Sequence, residues 1–296
     1  MKQFWLFIVS NIYRLIVRII SRLTGRGAGK FATILPKGQS YLVKNYCGIY
    51  NFYVDTTYPI ESSVWLCGVY DMVTTKFLRK VIRPGDVFLD VGANCGALTL
   101  VAASLIGDGK IYAFEPGAVI RSRLQANIDA NGGLGDRIKV VPLGLGLTKS
   151  QLFYHEDQNY RGNGSLHISY GIPVEIISLD EWVLQENLSK IDVIKIDVEG
   201  MEYDVLLGGK ATLERFHPLI YFETIELFYG ETQHNIRDIY EFLTNLGYKI
   251  VRPTSPHLEV KFDGVYPANS VAVPASKLER LKIKSARIND NLKTHG

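Results

Sequence analysis

The sequence predicts an α/β protein, a mostly parallel sheet with helices on both faces. Two observations carry that reading. From residue 87 onward, short apolar runs alternate with helical stretches, the pattern of βαβ units. A glycine-bearing loop, Gly92-Ala93-Asn94-Cys95-Gly96, directly follows the first strong run and opens a helix. The length of 296 residues suits one large domain or two small ones, at roughly 150 residues each.

Composition narrows the class. Hydrophobic residues make up 47% and charged residues 21%, which excludes a disordered or collagen-like chain. The net charge of +3 is too small for a nucleic-acid footprint, so no nucleic-acid partner is expected. Cys47, Cys67 and Cys95 are odd in number and widely spaced. They suggest neither a disulfide framework nor a metal site, and point to a reducing, cytoplasmic setting.

The first 26 residues read as an amphipathic helix. On a helical wheel Gln3, Ser10, Asn11, Arg14, Arg18, Ser21 and Arg22 share one arc, and the rest is mainly apolar. Arg14 and Arg18 make a spanning helix costly, and no small-residue cleavage site follows. A helix lying in a membrane interface, arginines toward anionic headgroups, fits best. Packing on the chain's own domain or on a second subunit is the alternative.

The remaining elements follow in order. Gly25–Lys30 is a flexible joint. Residues 27–80 form an extension with β-like runs at Tyr41–Val43 and Tyr50–Val54 and a helix at Asp71–Val81. Residues 81–275 form the main domain. Its strands are expected at Val87–Val91, Lys110–Phe114, Ile138–Leu143, Asp192–Ile196, Leu219–Thr224, Lys249–Arg252 and Ser270–Val273. Its helices are expected at Ala97–Leu105, Ala118–Ala130, Tyr203–Gly208 and Ile236–Leu246. Residues 144–178 read as irregular, with β pieces at 151–155 and 173–178. The basic tail 276–296 reads as solvated or frayed.

The glycine loop and the acid that ends the next strand suggest a nucleoside site. Ligands of open α/β sheets bind beyond the carboxyl ends of the strands. Glu115, at the end of the second strand, is placed to accept both ribose hydroxyls of an adenosine. A dinucleotide loop wants a third glycine, which is missing, and Asp90 at the loop's start would repel a phosphate. S-adenosylmethionine carries a sulfonium and an ammonium and no phosphate, so it suits Asp90, Gly92, Asn94, Gly96 and Glu115 better than NAD.

These residues also carry a family resemblance. Phe88–Gly96 looks like the first motif of class I S-adenosylmethionine-dependent methyltransferases. Ile194-Lys195-Ile196-Asp197-Val198-Glu199-Gly200-Met201-Glu202 resembles, almost word for word, the signature of the FkbM family of O-methyltransferases. Ala113–Pro116, Ile177–Asp180, Gly164–Leu166 and Trp65–Asp71 match the same family, which commonly has Glu where this chain has Asp71. The resemblance covers about residues 60–275. It implies a Rossmann-like sheet of seven strands, six parallel and one antiparallel, and methyl transfer to a hydroxyl, often of a sugar or natural product. The expected acceptor is a saccharide, glycan or glycolipid.

An alcohol is a poor nucleophile at neutral pH and needs a general base or a metal. Asp197 just past a strand end is the leading candidate, for cofactor or acceptor contact, against a helix N-cap. Lys195 lies two residues back on the same side and could pair with a carboxylate or form a structural ion pair. Glu199 is expected to open the next helix. Glu223 is a candidate base or acceptor ligand, and Glu226 follows it. Asp197 with Glu223 could hold a divalent ion, but nothing further supports a metal, and none is assigned. His167 is the best-placed histidine, and Tyr154, Tyr160 and Tyr170 could face a sugar. An NAD-dependent oxidoreductase and a non-catalytic membrane-associated module are the competing readings.

Overall fold

The computed structural model describes residues 12–17, 19, 37–156, 164–167, 170–225, 234–260, 266–278 and 280–281. A hairpin comes first, β1 (Ser40–Tyr46) and β2 (Tyr50–Asp55), then helices α1 (Pro59–Cys67) and α2 (Met72–Val81). The alternating region follows: β3 (Val87–Val91), α3 (Ala97–Ala103), β4 (Lys110–Phe114), α4 (Ala118–Asp129) and β5 (Ile138–Val141). Next come β6 (Gly144–Gly146), β7 (Ser150–Glu156), β8 (Gly164–His167), β9 (Ile172–Ser178) and α5 (Leu179–Gln185). The chain continues through β10 (Val193–Ile196), α6 (Glu202–Leu207), α7 (Lys210–Phe216) and β11 (Leu219–Glu223). It then forms α8 (Ile236–Asn245), β12 (Tyr248–Arg252), β13 (Ser255–Glu259) and β14 (Asn269–Pro274).

The main sheet has eight strands in the order β13-β12-β14-β11-β10-β3-β4-β5. The five from β5 to β11 are mutually parallel, while β14 runs antiparallel to both β11 and β12. These seven are the expected sheet, six one way and one reversed. The correction is β13, an eighth strand antiparallel to β12 at the edge.

Two apolar layers sandwich the sheet. Phe88, Ile111, Val193, Leu219 and Tyr221 pack on one face with residues of the hairpin and of α1 to α4. Leu89, Phe114, Ile194, Ile220 and Phe222 pack on the other with α5, α6, α7 and α8. Alternating residues of each strand therefore enter different cores, which is why these strands read as continuous apolar runs.

The hairpin belongs to the first of these cores. Asn127 of α4 and Asn131 just past its end accept the backbone N–H groups of Tyr53 and Asn51, both at 2.7 Å, and so pair the free edge of β2. Asp71 caps α2 by accepting the N–H groups of Val73 and Thr74 at 3.0 and 3.1 Å.

Several expectations need correction. Residues 144–178 are not mainly irregular: they contain a second sheet in the order β6-β9-β7-β8. Helices α1, α5 and α7 are not among the expected elements. Most of α1 is buried around its circumference, which leaves no amphipathic stripe to read. The start of the basic tail is not solvated either. Arg280 is buried in a salt bridge with Asp86, Lys277 donates to the Asp192 carbonyl at 3.1 Å, and Leu281 is buried.

At the amino end only 12–17 and 19 are described. The joint at 25–30, and Arg18, Arg22 and Arg26, lie outside the described residues. Val17 is buried in the first core, and Arg14 lies over the Trp65 ring, 5.2 Å from its centroid. Arg14 therefore packs on the domain instead of facing outward. The exposed side chains are Ile12, Leu15, Ile16 and Ile19. Among the described residues no helix is long and apolar enough to cross a membrane.

The Arg280–Asp86 pair yields a test. Arg280→Met leaves the Asp86 carboxylate buried beside Asp192 with its main cation gone. Removing one partner of a buried pair costs ~3–5 kcal/mol, so the denaturant midpoint should fall accordingly. Adding Asp86→Asn should recover part of that loss.

Candidate active site

The carboxyl ends of β3, β4, β10 and β11 open on one cavity. It is lined by the loop Gly92–Cys95, by Glu115, by Lys195 and Asp197–Glu199, and by Glu223. Tyr154 and Leu166 of the second sheet and Ile60, Tyr70 and Leu98 complete it.

Parallel register explains how its base is built. Lys195 of β10 stands opposite Asp90 of β3 on one side and Tyr221 of β11 on the other. Side chains two residues further along point the same way, so Asp197 and Glu223 rise above this row toward the cavity. The buried Lys195 ammonium lies 3.4 Å from both Asp90 Oδ1 and Asp197 Oδ2. It also donates to the carbonyls of Gly92 at 2.6 Å and Val91 at 3.3 Å. The two carboxylates raise its pKa against the opposing effect of burial, so it stays charged.

The loop itself is tightly fitted. Gly92 has φ +76°, and a Cβ there would sit 1.9 Å from the carbonyl oxygen of Asp197. Only glycine permits this approach of β3 to β10. At Gly96, φ +85°, a Cβ would meet Leu124 of α4 at 2.5 Å. The Asn127 side chain donates to the Cys95 carbonyl at 2.9 Å, tying α4 to the same loop.

Glu115 braces the loop from beneath. Its Oε2 accepts the N–H of Asn94 at 3.0 Å, and its Oε1 accepts that of Gly117 at 2.8 Å. Burial pushes it up to about 7, partly offset by these two N–H groups.

The acids across the cavity form a cluster. Glu223 is raised well above the usual carboxylate range, first by burial and then by the hydrogen-bonded Asp197 beside it. Burial, followed by Asp197 and Glu202, pushes Glu199 up to about 7. Two carboxylates in hydrogen-bond contact cannot both ionise cheaply, so the Asp197–Glu223 pair tends to keep one proton. Tyr70 adjoins Asp197, Asp71 and Glu223, and its own pKa is raised by burial and by those carboxylates.

The structure brings Gly92, Asn94, Glu115, Lys195, Asp197, Glu199 and Glu223 together at the cavity. It does not bring Asp90 or Gly96 to its lining. Asp90 is fully buried, accepting the Thr99 hydroxyl at 2.7 Å. Gly96 is a packing position. Glu199 does not open a helix: it sits in a turn with φ +55°, and α6 begins at Glu202. Asp197 is not an N-cap, since that position belongs to Met201.

His167 is also displaced from its expected place. Tyr154 and Leu166 are cross-strand partners on the cavity side, so His167, paired with Phe153, points to the other side of the sheet. There it stacks on Tyr170, with ring centroids 4.2 Å apart. Tyr160 and Glu226 lie outside the described residues. Tyr70 and Glu202 escaped the residue-by-residue sequence reasoning, although both lie within the quoted motifs. Among the described residues no group of three or more His, Cys, Asp or Glu is arranged to hold a metal.

Comparison with known proteins adds the following. The methyltransferase FkbM domain family matches residues 90–250. The 2-O-methyltransferase NoeI of Sinorhizobium fredii is 28% identical over 180 residues, covering 54% of this chain and 72% of that protein. The hexuronic acid methyltransferase AglP of Haloferax volcanii is 31% identical over 152 residues, 50% of this chain and 59% of that one. A solved methyltransferase FkbM from Methylobacillus flagellatus KT overlaps at a TM-score of 0.41 and 14% identity, over 71% of this chain and 52% of that one. Nothing among these supports the nicotinamide or the non-catalytic alternative.

The raised carboxyls set a pH dependence of stability. Glu115, Glu199 and Glu223 each hold a proton in the folded state at pH values where the unfolded chain, near pKa ~4.3, has released it. Their contribution is therefore fully present below about pH 4 and is lost as pH rises through about 7 and beyond. The melting temperature of the ligand-free protein should fall between pH 5 and pH 8 at constant ionic strength. Glu223→Gln should flatten that slope, as differential scanning calorimetry would read.

Proposed function

Because the chain belongs to the FkbM methyltransferase family and takes its methyl group from S-adenosylmethionine, we propose that it methylates a hydroxyl of a saccharide or glycolipid. The observation that carries this reading is the Asp197–Glu223 carboxyl pair at the cavity, a proton acceptor where an alcohol would need one. The names of NoeI and AglP, one for 2-O-methylation and one for a hexuronic acid, support a sugar hydroxyl.

The donor set suits the cofactor. Each Glu115 oxygen accepts one backbone N–H and keeps lone-pair capacity for a ribose hydroxyl. The loop Gly92–Asn94 offers close backbone approach, and Ile60, Leu98 and Leu166 offer apolar surface for an adenine ring. The excess of carboxylates over cations at the far wall suits an ammonium and a sulfonium. When bound, S-adenosylmethionine supplies a methyl group already activated on sulfur.

The protein's own part is to bind, orient and take a proton. Lys195 holds Asp197 at the cavity edge. Asp197, in contact with Glu223, accepts the proton of the acceptor hydroxyl as its oxygen becomes nucleophilic. Tyr154 presents a ring face to a sugar.

Asp197→Asn is nearly isosteric and should keep the fold while lowering turnover about 100-fold or more if Asp197 is the base. The rate is to be read with labelled cofactor against saccharide and glycolipid acceptors. Wild-type turnover at saturating substrates would remove Asp197 from this role. In parallel, Glu115→Ala should weaken cofactor binding by ~1.5–3 kcal/mol in calorimetry.

We also propose peripheral contact with anionic membranes through the amino-terminal helix. Support comes from the exposed Ile12, Leu15, Ile16 and Ile19 and from Arg18, Arg22 and Arg26 in the same stretch of sequence. Removing residues 1–26 should abolish co-sedimentation with anionic vesicles and leave cofactor binding intact. If the full-length protein sediments with neither anionic nor neutral vesicles, the helix serves only as packing.

A further inference from the structure

Methyl transfer to a hydroxyl depends on where Asp197 and Glu199 stand, and both are carried by a turn that β10 alone cannot hold. Beyond Ile196 the chain leaves the sheet and runs through Asp197, Val198, Glu199 and Gly200 before α6. Glu199 has φ +55° and Gly200 φ +103°, two successive residues in backbone conformations that L side chains rarely adopt. At a non-glycine residue this conformation is strained and persists only where the surroundings enforce it.

The enforcing group is Glu202. Its carboxylate folds back over the turn and accepts the N–H of Val198 at 3.0 Å and that of Gly200 at 3.2 Å. It is 1% exposed and does not line the cavity. A carboxylate that satisfies two N–H groups on either side of Glu199 locks the peptide planes between them. The Asp197 N–H still pairs with the Val91 carbonyl of β3 at 3.2 Å, so Glu202 holds the part of the turn beyond that last ladder bond and aims Glu199 into the cavity.

We propose that Glu202 is a positioning residue for methyl transfer: its buried carboxylate fixes the Asp197–Gly200 turn and so sets where Asp197 and Glu199 meet the acceptor. This rests on the methyl-transfer reading of the cavity. Glu202 also acts through charge. The groups facing Glu199 and Glu223 are Lys195 of β10, Asp197 just past its end, Glu202 of α6, Tyr70 ahead of α2 and Tyr221 of β11, and Asp71 in turn faces Tyr70 and Tyr221. Lys195 is engaged by Asp90 and Asp197, so the negative charge of Glu202 helps keep protons on Glu199 and Glu223.

Two variants separate geometry from charge. Glu202→Gln keeps an oxygen to accept the turn's N–H groups and removes the charge, whereas Glu202→Ala removes both. Amide hydrogen exchange of Val198 and Gly200 and 13C-carboxyl titrations of Glu199 and Glu223 are read on the ligand-free protein. Turnover is read with labelled S-adenosylmethionine and a methyl hexuronoside. In Glu202→Ala the two amides should exchange at least about tenfold faster, and kcat should fall about tenfold or more with KM for the cofactor little changed. In Glu202→Gln the amides should stay protected and most of kcat should return, while both carboxyl titrations, and any acid limb of the rate profile, move to lower pH.

Unchanged exchange in the alanine variant, or titrations unmoved in the glutamine variant, would overturn the proposal. If the alanine variant does not fold, the glutamine titration decides alone. Exchange and titration use no acceptor, so a protein that methylates no saccharide would defeat the reading of the cavity without touching this result.

Discussion

The ammonium of Lys195, buried between Asp90 and Asp197, is the constraint on which the candidate site depends. It reaches the carbonyls of Val91 and Gly92 as well, so one charge holds the end of β3 against the end of β10. Desolvating three charged groups costs several kcal/mol per ion, and their attraction repays this only with good geometry and further hydrogen bonds. Here the carbonyls and the Thr99 hydroxyl supply those bonds. What the arrangement secures is position: Asp197 stands at the cavity edge because its partner cannot move.

The glycine loop follows from the same contact. Lys195 draws the two strand ends together so closely that the carbonyl of Asp197 takes the place a side chain at position 92 would need. Glu115 then fixes the far side of the loop through the N–H of Asn94, and Asn127 fixes its exit through Cys95. Three strands and one helix thus hold five residues of loop. The second sheet closes the cavity from above with Tyr154 and Leu166. A division results in which some acids hold the frame and others face the chemistry: Asp90 and Glu202 are buried beneath, while Asp197, Glu199 and Glu223 line the opening.

Legibility in the sequence tracked how local the cause was. The strands Val87–Val91 and Lys110–Phe114 are readable to the residue because both faces are largely buried and their runs are apolar apart from Asp90 and Lys110. Strands β6 and β8 have three and four residues and exist by pairing with β9 and β7, so no local pattern announces them. The carboxyl-terminal segment reads as solvated because it is rich in Lys and Arg. Its described start packs on the domain because Asp86 and Asp192, 194 and 88 residues upstream of Arg280, require cations at the amino ends of β3 and β10.

The sequence by itself determined the alternating architecture, the place of the glycine loop after the first strand, and the set of acids at strand ends. These depend on periodicity and on backbone sterics, which neighbours in sequence express. Only the tertiary structure decided what each acid does. Asp90 and Asp197 read alike as acids at the end of a strand, yet the parallel register puts Asp90 opposite Lys195 in the core and lifts Asp197 two residues beyond it. Glu199 and Glu202 are both acids just ahead of the helix expected at Tyr203–Gly208. The left-handed turn at Glu199 sends one to the cavity and folds the other back beneath it. Such assignments rest on strand register and on contacts across the fold, which no local spacing specifies.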